Sequence, residues 1–251
     1  MKYSFHADRH GSSLFASLWV EALGVQYPAE LAPFSSCTYE LLGDLERQVP
    51  ITSGAVLVDL GCGTGGPGLW FARKQPLQLI GIDRYGVAVA IANQRAVEWG
   101  ICQNASFAIG DFSDTGLASA SADFVLSIDA FTATNHIESA LEEVRRIPKP
   151  GGTFVFTARQ LGPNGRHIKA IGEDWASGLE RNGFKDVHAM HRPNVSEFWK
   201  KVYWLWMKYE SDLRKEFLPK TVDALIDEAS RGIPLTRESR PWYLIRATMI
   251  A

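Results

Sequence analysis

Three aspartates and a run of glycines carry the first chemistry legible in this sequence. The run is Val56-Leu57-Val58-Asp59-Leu60-Gly61-Cys62-Gly63-Thr64-Gly65-Gly66-Pro67-Gly68. It reads as a buried strand, a glycine-rich turn and the start of a helix. Such a turn lets backbone approach a ligand closely, and the helix that follows aims free N–H groups at it. Gly61, Gly63 and Gly66 match the spacing G-x-G-x-x-G, and Asp83 follows at about 20 residues, where an acid can take two ribose hydroxyls. That pattern alone fits any adenosine cofactor, NAD and FAD included. The charges discriminate. Asp59 stands at the mouth of the first strand, Asp83 ends the second and Asp111 closes the third. All three fall at carboxyl ends of parallel strands, where ligands bind in open α/β sheets. Such a crowd of carboxylates repels a pyrophosphate. It suits an adenosine cofactor with no phosphate, a cationic sulfonium and a free ammonium, and S-adenosylmethionine is such a molecule.

The elements that must hold these residues follow from the apolar rhythm. Val56–Leu60, Leu77–Ile82, Phe107–Ile109, Phe124–Ile128 and Thr153–Thr157 are short runs rich in β-branched or aromatic residues. Helical stretches at 67–74, 85–99 and 136–147 separate them. This alternation predicts an α/β fold with a parallel sheet and helices on both faces. Lys149-Pro150-Gly151-Gly152 reads as a turn leading into the fifth strand. Helical patterns also cover 12–24 and 37–49, before the sheet begins. A helix over 166–182 and a strand near 184–190 come next. An amphipathic aromatic region runs from 195 to 230, and the apolar run Trp242–Ile250 reads as a last strand.

Several stations resemble the class I S-adenosylmethionine-dependent methyltransferases. They are Val58-Asp59-Leu60-Gly61-Cys62-Gly63-Thr64-Gly65, Gly81-Ile82-Asp83, Gly110-Asp111-Phe112, Ala122 to Ser127, and Arg145 to Gly152. The resemblance covers roughly residues 50–190. It implies a Rossmann-like, seven-stranded, mostly parallel sheet whose last strand is inserted antiparallel. It implies S-adenosylmethionine as the cofactor, with the Gly61–Gly65 turn along its methionine part. Asp83 would hold the ribose, Ile82 and Arg84 would flank the adenosine, and Asp111 with Phe112 would frame the adenine. Asp59, Cys62 and Ser127 join the cofactor set by their places in these stations. The organisation then reads as an N-terminal helical cap (1–50), a cofactor-binding core (51–190), a helical aromatic lid insertion (191–240) and a final core strand (241–251).

Methyl transfer from a sulfonium is an in-line displacement, so a base is needed only where the acceptor must lose a proton. Asp129 and His136, past the fourth strand, are the candidates. A histidine titrates near ~6.5 when unperturbed, which suits proton removal at neutral pH. Related small-molecule methyltransferases carry a histidine at about this place. His136 also reads as a first-turn helix residue, and Asp129 as a structural or cofactor-side carboxylate. The chain lacks the Asn/Asp-Pro-Pro-Tyr sequence that, in this family, marks methylation of DNA-base or glutamine amino groups. The acceptor pocket should come from outside the shared core, from residues 1–45 and 191–240. Trp199, Tyr203 and Trp206 recur at helical spacing, which fits a packed core face, or a lid over a flat or greasy substrate.

The balance of the chain fits a small-molecule acceptor. Of 251 residues, 46% are hydrophobic and the formal net charge is −2, so no basic excess points to nucleic acid or an anionic membrane. The cysteines Cys37, Cys62 and Cys102 have neither metal-ligand spacing nor an even count, so no metal site is expected and a reducing cytoplasm fits. No apolar leader opens residues 1–10, and no run reaches the length of a membrane span. A homodimer is compatible with this composition. The reading is methyl transfer to a small organic acceptor, with oxygen or carbon favoured over nitrogen. An RNA methyltransferase, a dinucleotide oxidoreductase and a non-catalytic S-adenosylmethionine-binding protein share enough of the pattern to remain competitors.

Overall fold

Alternating apolar strands pair into one seven-stranded sheet in the computed structural model of the protein, which describes residues 9–49, 52–162, 165, 167–236 and 240–250. The strands are β1 (Val56–Leu60), β2 (Gln78–Asp83), β3 (Ala105–Ile109), β4 (Ala122–Ser127), β5 (Pro148–Arg159), β6 (Phe184–His191) and β7 (Trp242–Met249). Their spatial order is β3-β2-β1-β4-β5-β7-β6. The first five run parallel, and β7 lies antiparallel between β5 and β6, as the resemblance implied. The order reverses between β1 and β4, which opens a crevice at their carboxyl ends.

Side chains of β1 alternate between two cores, as strand geometry requires. Leu57 joins a core with α2 (Tyr39–Gln48), α3 (Gly66–Lys74) and α4 (Gly86–Glu98). Val58 and Leu60 join the opposite core with α5 (Ile137–Arg146), α6 (Ile168–Ile171) and α7 (Trp175–Arg181). Asp59 shares the Leu57 side and is the one charged residue of that buried strand.

A third core builds the roof. Helix α1 (Ser13–Leu23), capped by Ser12 accepting from the Phe15 N–H, packs with α8 (Val195–Lys208), α9 (Glu210–Glu216) and α10 (Pro219–Thr236). Trp19, Trp199 and Trp206 meet there, with ring centroids 5.8 and 6.2 Å from Trp19, and Phe34 stacks on Trp206. The packed-face alternative therefore describes Trp199 and Trp206, while Trp204 points outward at 52% exposure. Helix α10 closes on α8 at Gly232, where a β-carbon would lie 2.2 Å from the Tyr203 ring. The N-terminal segment expected as one cap is divided: α1 packs in the roof, and α2 packs beneath it on the sheet.

Two local expectations differ from the structure. The stretch expected as one helix over 166–182 is α6 and α7, broken at Gly172 (φ 78°) and restarted by Asp174 accepting from the Ser177 N–H; residue 166 itself lies outside the described residues. Lys149–Gly152 is not a turn before the strand but an irregularity within β5, because Pro148 already pairs with Ala122. Residues 1–8, which bear on the expected absence of a leader, and residue 251 lie outside the described residues. Among the described residues no helix is long and apolar enough to cross a membrane.

The roof core yields a stability prediction. Trp206→Ala should lower the unfolding free energy by about 3–5 kcal/mol in urea titrations, through lost burial and a cavity. Trp204→Ala should cost less than about 1 kcal/mol.

Candidate active site

The turn after β1 is held from below. Gly61 and Cys62 both donate backbone N–H groups to the Ile82 carbonyl, at 2.7 and 3.1 Å. Gly61 has φ 71°, and a β-carbon there would lie 2.4 Å from the Ala130 β-carbon, so only glycine passes beneath it. Asp83 braces the same turn. Its Oδ2 accepts from the Gly63 N–H at 2.8 Å, and its Oδ1 from the Tyr85 N–H at 2.9 Å. Burial raises the Asp83 pKa, and these two N–H groups oppose the rise.

Asp59 faces the first turn of α3. Its Oδ2 accepts from the Gly68 N–H at 3.0 Å. The residue is 2% exposed, and burial pushes its pKa to about 7 against the Gly68 bond, with the Asp83 charge adding to the rise. Free N–H groups at this helix end would receive a pyrophosphate in a dinucleotide-binding fold. Here a protein carboxylate takes one of them.

A cavity of about 470 Å³ lies over these strand ends. Asp59, Gly61, Cys62, Gly63, Asp83, Arg84, Asp111, Phe112 and Asp129 line it. Asp111 is turned locally, accepting from the Ser113 N–H and hydroxyl. The Cys62 thiol is pushed well above its ordinary pKa, first by burial and then by Asp59 and Asp83, which disfavours a thiolate.

Three residues of the sequence-derived set do not line this cavity. Gly65 (φ 89°) starts helix α3 instead. Ser127 is fully buried beneath the floor, donating to the Leu60 carbonyl at 2.7 Å and accepting from the Phe131 N–H. His136 is exposed at the start of α5, where its backbone N–H donates to Thr134 Oγ1. Among the described residues no histidine lines the cavity. Asp129 does line it, but both its oxygens are engaged. Oδ2 accepts from the Ser36 N–H at 2.5 Å, and Oδ1 from the Thr157 hydroxyl at 2.6 Å. Arg192, also buried, donates to the Ser36 hydroxyl and carbonyl, both at 2.8 Å. With φ 53°, Asp129 holds a backbone conformation rare outside glycine. This geometry fastens the Pro33–Ser36 segment to the ends of β4 and β5 through Asp129.

The roof residues Arg9, Phe34, Lys220, Glu228 and Arg231 also line the cavity. Sequence reasoning located their segments but not the residues. Nothing in spacing distinguishes Arg9 among 26 lysines and arginines.

Residues 58–156 match the family model described as a methyltransferase domain. That stretch carries a methyltransferase domain of the class I S-adenosylmethionine-dependent type. The chain is 27% identical over 175 residues to a sterol 24-C-methyltransferase of Debaryomyces hansenii, covering 67% of the chain and 44% of that protein. It is 36% identical over 133 residues to a dimethylglycine N-methyltransferase of Parasynechococcus marenigrum, covering 51% of the chain and 45% of that protein. The chain thus spans less than half the length of these curated relatives. Its fold is that of the S-adenosylmethionine-dependent methyltransferase from Geobacter sulfurreducens solved with S-adenosylhomocysteine, with a TM-score of 0.64, 18% identity, and coverage of 94% of this chain and 98% of that one.

Asp59 makes the stability of the protein depend on pH. Its folded pKa of about 7 lies above the ordinary 3.8, so the folded state holds the proton more tightly than the unfolded chain. The stabilisation is complete below about pH 4 and is lost as pH rises through about 7. Urea titrations should show Asp59→Asn gaining on the parent across that window, by up to about 4 kcal/mol.

Proposed function

We propose that the chain transfers the methyl group of S-adenosylmethionine to a small organic acceptor. One observation carries this reading: two buried carboxylates, Asp59 and Asp83, face one cavity while the nearby helix end is already bonded to Asp59. A cationic, phosphate-free adenosine fits such walls. The fit extends to shape, because a β-carbon at Gly63 would meet no atom within 4 Å, leaving backbone open to the cavity. Bound there, the sulfonium supplies an activated methyl group.

The protein's own residues then align and enclose. Asp59 offers a charge that burial leaves poorly solvated, so an approaching ammonium is favoured. Asp83 offers its remaining lone pairs to ribose hydroxyls while bracing the turn. Asp111 and Phe112, with Arg84 in the same cavity, would frame the adenine. The Pro33–Ser36 segment and α10 exclude water from the reacting atoms. Alignment and desolvation are what these walls supply to the transfer.

The relatives act by their names on both carbon and nitrogen, so the preference for oxygen or carbon gains no support from them. The three cysteines are free thiols, Cys37 and Cys62 buried and Cys102 exposed, which supports placement in the cytoplasm.

Calorimetry with S-adenosylhomocysteine tests the reading. Asp83→Ala should weaken binding by about 2–4 kcal/mol, as a buried charged acceptor is lost; unchanged affinity refutes the assignment. His136→Ala should keep kcat within about twofold, since a residue outside the cavity removes no transition-state contact.

A further inference from the structure

We propose that Arg95 is a positioning residue that ties the glycine turn to the N-terminal segment over the cavity, so that a donor seated on the turn also holds that segment down. The proposal rests on the methyl-transfer reading, which seats the donor half of the cavity on that turn. Arg95 stands in the last turn of α4, the helix that follows Asp83 and its strand. It is 7% exposed, and its guanidinium is turned to main chain. Nη1 donates to the Thr64 carbonyl at 2.7 Å, with the Thr64 hydroxyl at 3.4 Å, and Nη2 donates to the Glu30 carbonyl at 2.8 Å. One planar fork thus joins segments 31 and 65 residues away in sequence.

Both partners border ligand space. Thr64 lines the cavity from the turn, and Pro33, Phe34 and Ser35 carry the Glu30 segment over it. A second cavity, of about 320 Å³, lies beside the same segment against Tyr27, Glu30 and Ala32. Pro33 and Thr64 border both spaces. A wall with open space on either side has fewer packed neighbours, so its bonds set its position. Ala32 adds strain, because its φ of 43° is held by a residue with a β-carbon only where the surroundings fix it. Leu31 anchors the segment in the sheet core, and Arg95 holds the carbonyl just before it. Burial lowers the Arg95 pKa, while Glu98 and Tyr27 act to raise it. A side chain needed only to fill this space could be apolar. A two-armed donor is needed where two carbonyls must keep one spacing. Coupling of this kind is reciprocal: the factor by which the donor favours closure of the segment is the factor by which closure favours the donor.

The test uses the full chain and begins with calorimetry of S-adenosylhomocysteine on the parent; absence of binding overturns the methyl-transfer reading itself. With binding in place, hydrogen exchange is followed at the Leu31 and Ala32 amides, which bond to the Pro28 carbonyl and do not line the donor's cavity. Saturation with S-adenosylhomocysteine should slow both about tenfold or more. Exchange unchanged by the ligand overturns the proposal without any variant. Arg95→Lys keeps the charge without the fork, and Arg95→Met keeps neither. Each should weaken S-adenosylmethionine binding by about the factor seen in exchange, and ligand should no longer slow Leu31 and Ala32. Electrostatics alone predicts the opposite for Arg95→Met, since removing a cation near the site favours a cationic donor. Binding is measured far below each variant's Tm, so that lost stability does not enter. Unchanged or tighter S-adenosylmethionine binding, or full slowing in the folded variants, makes Arg95 merely structural and overturns the proposal.

Discussion

Asp59 Oδ2 accepts the Gly68 N–H across 3.0 Å, and this contact joins the end of β1 to the first turn of α3. Much of the site depends on it. It puts a negative charge at the helix end that dinucleotide-binding relatives of the fold keep for phosphate. It also fixes residue 68 as glycine, because a β-carbon there would lie 2.8 Å from the same oxygen. The carboxylate is buried, and one N–H does not replace the water it has lost. A cation entering the cavity therefore meets a partner already in place. Asp83 repeats the device one strand away, bonded to the turn at Gly63 while facing the same space.

The roof depends on a second set of contacts between segments far apart in sequence. Ser36, Asp129, Thr157 and Arg192 come from the N-terminal segment, the ends of β4 and β5, and the loop after β6. The Arg192–Ser36 bonds are buried and the two to Asp129 are half-buried, and breaking a buried one leaves an unsatisfied group, so the segment over the cavity is held in place. The tryptophan core of α1 and α8 carries the rest of the roof from above. Donor half and acceptor half thus have separate supports: the strand ends set the first, and the clasp and helical core set the second.

The sheet and the donor half were legible because their signals are local. Apolar runs of strand length, glycines required by backbone geometry and acids at strand ends are each visible within a few residues. All seven strands were found on that basis, and the placement of Asp59, Asp83 and Phe112 around one cavity followed. The misses arise where tertiary contact decides. His136 reads as a base or as a first-turn helix residue, and the fold places it exposed at the start of α5. Asp129 reads as either a base or a structural carboxylate, and only the fold brings Ser36 and Thr157, 93 and 28 residues away, to bond it. Arg9 has no sequence signal because only the roof brings it over Phe34. The single helix read over 166–182 failed for a local reason, since Gly172 adopts a positive φ that ends α6.

Calorimetric titration of the full chain with S-adenosylmethionine and, separately, with NAD tests most directly whether the Asp59 bond to α3 decides the ligand. The account predicts saturable one-site binding of S-adenosylmethionine and no measurable heat with NAD, whose pyrophosphate meets a carboxylate where it needs N–H groups. NAD binding as tight as that of S-adenosylmethionine would contradict it.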